Sequence, residues 1–266
     1  MSITFNFIPV YLWLPFIGAA IGLLVTVFGG GGGFFYVPIL TLLFHVPTQQ
    51  AAAISLAATI PTVIVGSIEH NRKGNINLPT GIIFGMAGLV GAFVGAYVSN
   101  LVSSALLQKL FGAYALALVI PMILTSRNRL KNLAGEAKKS QPLTSYRIML
   151  CVFFGILSGI MAGLFGTSGT ASIVAGLYIL GLPVTVVVGT SVLVVLFNAI
   201  SGFAGHLIVG GQLNLILLLF LGGGSVIGGF LGPGILARIN VQTLEKVYGI
   251  LFILLVISFG IIMILK

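Results

Sequence analysis

Apolar stretches of bilayer-crossing length follow one another along almost the whole chain. They lie near Val10 to Phe28, Gln49 to Glu69, Leu78 to Ser99 and Ala105 to Leu124, then near Ile148 to Leu164, Thr185 to Gly205, Leu213 to Leu236 and Leu244 to Leu265. A helix needs about 20 mainly apolar residues to cross the hydrocarbon core. That core offers backbone N–H and C=O groups no water, so only helical bundles and closed barrels satisfy them there. The period-two alternation of barrel strands is absent. The chain therefore reads as an all-α polytopic membrane protein with the lipid bilayer as its surroundings. Charged residues make up 6% of its 266 positions, against about 25% in soluble domains.

The N-terminal MSITFNFIPVYLWLPF has no Lys or Arg before its apolar run and is read as the start of a span, not a removed signal. Twelve basic residues against three acidic ones give a net charge of +9. Five of the basic ones, Arg127, Arg129, Lys131, Lys138 and Lys139, fall in one central polar stretch. The charge therefore orients a protein in a membrane and does not point to nucleic acid. This stretch, residues 126–145, is expected to be a cytoplasmic linker in a multi-pass protein of the cell (inner) membrane. Cys151 is the single cysteine and sits in an apolar run, which excludes an internal disulfide and a cysteine metal cluster. No cofactor is expected: the chain has no aspartate, no HExxH, no GxxxxGK[ST] and no GxSxG.

Sliding the chain on itself by 136 residues aligns Gly30 with Gly166, Gly33 with Gly169, Pro47 with Pro183, Ser55 with Ser191, Gly66 with Gly202 and His70 with His206. One inserted residue later, Gly85 meets Gly222, Gly91 meets Gly228 and Lys109 meets Lys246. Two membrane repeats follow, residues 1–125 and 146–266, joined by the linker. Each holds about five helical segments. One per half is too short for an ordinary span, Phe34 to Phe44 and Thr170 to Leu180. If the short segments cross, the halves are inverted, and Arg72, Lys73 and Arg238 share a face with the linker; if they only dip in, the halves are parallel and Arg238 faces the other way. The basic residues favour inversion.

Before each short segment the chain changes character. The first half has five consecutive glycines, Gly29 to Gly33, inside VFGGGGGFFYVP; the second has LFGTSGTAS, Leu164 to Ser172. Interior glycine weakens a helix by about 1 kcal/mol relative to alanine, so both helices are expected to break. A broken helix presents N–H groups at the positive end of its second piece, which suits an anion. The candidate substrate-binding set is Gly30, Gly31, Gly32 and Gly33 with Gly166, Thr167, Ser168, Gly169 and Thr170. Ser55, Ser191 and Asn198 are added because they interrupt apolar runs. Glu69, His70 and His206 are candidate coupling or gating groups; an interfacial ion pair and a helix-end hydrogen bond are their plainer roles.

The stretch GGGGGFFYVPILTLLFHVPTQQAAAISLAATIPTVIVGSIEH with its basic RKGNINL turn resembles the TauE/SafE family of membrane permeases, the sulfite exporter family. The second-half stretch GTSGTASIVAGLYILGLPVTVVVGTSVLVVLFNAISGFAGHLIVGGQLNL resembles the same unit again, so the likeness covers nearly the whole chain. It departs from the family pattern in having five glycines where another small or apolar residue is usually interleaved. The resemblance implies a secondary transporter of small anions such as sulfite or organosulfonates, in the direction of export and with no enzymatic step. Proton coupling and homo-oligomerisation stay open. The rival readings are a membrane-embedded enzyme or accessory protein of sulfur metabolism, centred on His70 and His206, and an anion channel.

Overall fold

The computed structural model describes residues 12–28, 32–132, 144–210, 213–236 and 241–266. Among them the chain forms α1 (Leu14–Phe28), α2 (Gly33–Leu43), α3 (Thr48–Arg72), α4 (Leu78–Leu101), α5 (Ser104–Asn132), α6 (Ser145–Phe165), α7 (Thr170–Ile179), α8 (Val184–Ile208), α9 (Leu215–Leu236) and α10 (Val241–Leu265). The short segments are α2 and α7, as expected. Helix α5 does not stop near Leu124 but carries the start of the linker to Asn132. TSRNRLKN contains no proline or glycine to end it. Lys138, Lys139 and Arg238 lie outside the described residues. Four helices among the described residues, Thr48–Arg72, Leu78–Leu101, Ser145–Phe165 and Thr185–Ile208, are long and apolar enough to cross a membrane.

Helix α4 shows how such a helix packs. Ile82, Met86, Val90, Phe93 and Tyr97 are exposed, and Gly81, Gly85, Gly88, Gly91, Ala92, Gly95 and Ala96 are buried. Large residues at three- and four-residue spacing therefore face lipid, and small ones face protein. The small face lets α6 approach to backbone contact. A Cβ on Gly91 would stand 2.3 Å from the Ile156 carbonyl oxygen, and one on Gly159 2.2 Å from that of Gly88. Helices α1 and α9 meet in the same way, through Gly18, Gly22, Gly224 and Gly228.

These contacts also fix helix directions. Along α4 and α6 the register rises together, from Gly88 beside Gly155 to Gly95 beside Ile160, so the two run parallel; so do α1 and α9. Helices α3 and α8 run antiparallel, with Gly66 against Val192 and Leu56 against Gly202. Helices α5 and α10 are antiparallel too, with Gln108 bonded to the Met263 carbonyl and Gly112 against Gly260.

The packing interleaves the two halves. Helix α4 packs chiefly on α6 and α8, and α9 on α1 and α3, while α3 and α4, neighbours in sequence, share almost no contact. Exchanging the halves maps α4 on α6 to α9 on α1, and maps α3 on α8 and α5 on α10 to themselves.

Two end faces result. At one, Thr48 N–H donates to Ser104 Oγ, and Gln49 Nε2 donates to the Val102 carbonyl. At the other, Asn77 N–H donates to Thr190 Oγ1, and Arg147 donates to the Leu180 carbonyl at the end of α7. Arg72, Lys73 and Arg147 all belong to this second face, toward which α5 runs.

Gly159→Val should abolish recovery of folded protein, because overpacking against the α4 backbone costs about 3 kcal/mol or more. Gly223→Ala, with open space at the Cβ position, should raise stability by about 0.5–1 kcal/mol. Size-exclusion profiles and thermal unfolding in detergent check both.

Candidate functional site

The second break begins where α6 ends. Gly166 takes a left-handed conformation (φ +69°), and its N–H closes the helix on the Ala162 carbonyl at 2.7 Å. Ser168 (φ +65°) and Gly169 (φ +67°) are left-handed as well. The chain thereby drops back along α6, so that a Cβ on Gly169 would stand 2.0 Å from the Ser158 carbonyl oxygen. Only glycine combines this backbone with that approach. Helix α7 then returns toward the start of α6, with Gly176 against Phe154 and Leu180 at Arg147.

The first break meets it. Gly30 and Gly31 lie outside the described residues, but Gly32 and Gly33 are buried at the start of α2. A Cβ on Gly33 would stand 2.0 Å from the Gly166 carbonyl oxygen and 2.5 Å from Thr167 Cα. The two interruptions are therefore in backbone contact. Their depth follows from their neighbours. Asn198, bonded to the second break, is ten residues from Ile208 and fourteen from Val184, about 15 Å and 21 Å along α8 at 1.5 Å per residue. This places the break at mid-height.

Side chains hold the freed backbone groups. Ser55 Oγ donates to the Gly166 carbonyl at 2.8 Å across from α3. Asn198 Nδ2 donates to Ser158 Oγ at 3.2 Å and to the Ser168 carbonyl at 3.4 Å. Ser158 gives its own proton to the Gly155 carbonyl at 2.8 Å. Both neighbours of the Asn198 amide are thus acceptors, which fixes its nitrogen toward them and its oxygen toward the Gly88 backbone. Ser55 and Asn198, expected among the substrate contacts, hold the break in shape. Thr167 Oγ1 donates back to the Met161 carbonyl at 3.4 Å. Ser191 is buried in α8 and donates to the Val188 carbonyl at 2.8 Å.

One hydroxyl of the break, Ser168 Oγ, is fully buried and has no partner. Helix α7 starts two residues later, at Thr170, without a side-chain cap. The first turn of a helix carries N–H groups that its own helix leaves unbonded. An aromatic group covers the junction: Tyr114 of α5 stacks on Phe165 (5.0 Å) and on Phe34 (6.0 Å), and Phe111 meets Phe165 edge-on (5.9 Å).

The coupling candidates lie elsewhere. Glu69 and His70 sit near the end of α3, about 20 Å from Ser55 along the helix. There Glu69 pairs with Arg72 at 3.2 Å in an exposed position, and such pairs contribute little. His70 Nδ1 is buried without a partner. His206 is buried at the far end of α8. Its Nε2 meets the Gly163 carbonyl at 2.9 Å and its Nδ1 meets Asn100 Nδ2 at 3.4 Å. A carbonyl only accepts, so Nε2 carries the proton and Nδ1 accepts, which is the neutral ring acting as a clamp between α8, α6 and α4. Because α3 and α8 are antiparallel, His70 and His206 fall at opposite ends of the bundle and form no common centre.

Sequence reasoning missed Ser158, Asn100, Tyr114 and the buried Tyr36–Ser225 hydrogen bond between α2 and α9. Tyr114 and Ser158 could have been found as polar groups inside apolar runs that must meet something. Asn77 and Asn214 were also missed. They align at the shifted register, and each caps the helix that follows it through its side-chain oxygen.

Asn198→Asp keeps the shape but sets an oxygen against two acceptors. It should cost about 3 kcal/mol at neutral pH. The loss should shrink as pH falls and the carboxyl gains a proton to donate. Thermal unfolding across pH reads this, and wild-type stability at neutral pH would mean the amide bonds are not formed.

The family described as Sulfite exporter TauE/SafE matches residues 14–259. Among curated proteins, the chain is 33% identical over 215 residues to the probable membrane transporter protein YdhB of Bacillus subtilis, covering 80% of this chain and 84% of that one. It is 28% identical over 255 residues to YunE of the same organism, also named a probable membrane transporter protein, covering 91% and 93%. A third probable membrane transporter protein, from Methanocaldococcus jannaschii, is 30% identical over 213 residues, covering 78% and 76%. No solved structure matches the chain at a significant level.

Proposed function

The chain belongs to the Sulfite exporter TauE/SafE family, and from that premise we propose that it is a secondary transporter that exports small sulfur-containing anions through a site at the two joined helix breaks. One observation carries this reading: two helix breaks, one from each half, touch inside the bundle, and the buried Ser168 hydroxyl beside them has no partner. A hydroxyl and the N–H groups of a helix start are donors, and an oxyanion is a ligand made of acceptors. The names of the relatives support transport, and the family description supports sulfite or a related anion as cargo.

The halves are read as inverted repeats. A two-fold axis in the membrane plane turns a helix antiparallel to its mate, as α3 is to α8 and α5 to α10; an axis along the membrane normal would leave mates parallel. Alternating access would then be a rocking of α1, α2, α3 and α9 against α4, α6, α7 and α8, with α3 and α8 sliding between them. The face that gathers Arg72, Lys73, Arg147 and the linker is read as cytoplasmic.

The enzyme reading loses its proposed centre, since His70 and His206 lie apart. The channel reading gains no ring of charge among the described residues.

In proteoliposomes the protein should move labelled sulfite or methanesulfonate, which should be recovered unaltered, with saturating kinetics. Gly169→Ala, whose methyl meets the Ser158 carbonyl at a left-handed backbone position, should lower the yield of folded protein and reduce the flux per inserted molecule by about tenfold or more. Chemically altered anion, or current without saturation, would favour the rivals. Normal flux in Gly169→Ala would remove the site.

A further inference from the structure

Helix α3 leads from the junction of the breaks to the face read as cytoplasmic. Ala52, Ser55, Thr59, Thr62, Gly66 and His70 recur along it at three- and four-residue spacing and so share one side. That side begins at the second break, where Ala52 lies against Gly166 and Ser55 donates to the Gly166 carbonyl. Ile64 and Ile68, on the opposite side, are exposed as lipid-facing residues are. One side of α3 thus carries only small or polar residues over about 27 Å, at 1.5 Å per residue.

Beyond Thr59 its bonding stops. Thr59 gives its proton to the Ser55 carbonyl at 2.8 Å, the usual recourse of a hydroxyl inside a helix. Thr62 is 5% exposed, yet its Oγ1 has no partner. His70 Nδ1, at the end of the same side, is buried in the same condition. Between them a Cβ on Gly66 would meet one atom alone, a Val192 methyl carbon at 3.2 Å. Buried polar groups are nearly always satisfied by protein or water, so two unsatisfied ones along a single side point to a stretch that is wetted in another state of the protein.

The residues aligned with these at a shift of 136 behave differently. Asn198, Gly202 and His206 of α8 stand in register with Thr62, Gly66 and His70. Because α3 and α8 are antiparallel, they lead toward the opposite end of the bundle. There the amide nitrogen of Asn198 donates to Ser158 and Ser168, a Cβ on Gly202 would press on Leu56 at 2.9 Å, and both ring nitrogens of His206 are bonded. Protein seals that side, and the matching side of α3 keeps its polar groups unmet.

We propose that the anion passes between the cytoplasmic face and the junction along this side of α3, with Thr62 and His70 lining the passage. The proposal rests on the anion-site reading above and adds the route to it. Both residues are buried here, so the passage is shut in this structure and opens when α3 parts from α8 and α9, the helices it chiefly packs on. At its mouth Glu69 is taken up by Arg72, and Lys73 is exposed beside them to draw anions in.

Cysteine accessibility tests the route, because the single cysteine, Cys151, is buried. In a Cys151→Ala background, Thr62→Cys and His70→Cys are compared with the lipid-facing Ile64→Cys and Ile68→Cys. A membrane-impermeant methanethiosulfonate is applied to either side of membrane vesicles, with and without methanesulfonate. The reacting species is the thiolate, which water favours and lipid does not, so Thr62→Cys and His70→Cys should react from the cytoplasmic side about tenfold faster than the lipid-facing pair. Methanesulfonate should slow the reaction at Thr62→Cys. Rates equal to those of the lipid-facing pair, or reaction from the opposite side alone, would overturn the route. Thr62→Val gives a second reading: it keeps the shape, should melt no lower than wild type, and should lower the maximal flux about threefold or more. Wild-type flux in that variant would remove Thr62 from the passage. If the labelling pattern holds while wild type moves neither sulfite nor methanesulfonate, the anion-site reading falls and the passage stands.

Discussion

A helix interrupted inside a bilayer releases backbone groups into a medium that cannot hydrate them, each at a cost of several kcal/mol unless protein or ligand meets it. Much of this structure answers that constraint at one place. The Gly166 N–H closes on Ala162, the Gly166 carbonyl takes the Ser55 proton, and the Ser168 carbonyl takes a proton from Asn198. These partners come from α6, α3 and α8, so the break is held by three helices at once. The Ser168 hydroxyl remains unpartnered, and α7 begins beside it.

The same close approach explains the abundance of glycine. Helices α4 and α6, and likewise α1 and α9, are pressed together until backbone meets backbone, which only residues without bulk permit. Each half thereby lends its fourth helix to the other. The packing units are not the sequence halves but two interleaved groups, meeting where α3 crosses α8. A motion that preserves the tight glycine seams must take place between these groups.

The architecture was largely visible in the residues themselves. Apolar length marked the long helices, and the glycine run and GTSG marked where chain continuity fails. The register of His, Pro and Ser across 136 residues led to the reading of two halves. What stayed hidden depended on distance in space. Nothing in sequence says that Gly33 lies on Gly166, because the two are brought together by a fold-wide arrangement and not by local pattern. Ser55 and Asn198 were legible as polar residues in apolar runs, but their bonding to the break required geometry. The pairing of His70 with His206 was a true feature of the register. It misled about proximity, because mates at helix ends fall on opposite faces when the helices run antiparallel.

The central claim is that a sulfur-type oxyanion is held where the two breaks meet. A crystal structure determined with selenite, whose selenium scatters anomalously, locates such an anion directly. The account predicts an anomalous peak within hydrogen-bond distance of Ser168 Oγ and the first turn of α7, between the start of α2 and the 166–169 turn. Selenium found only at the protein surface, with that junction closed and empty, would contradict it.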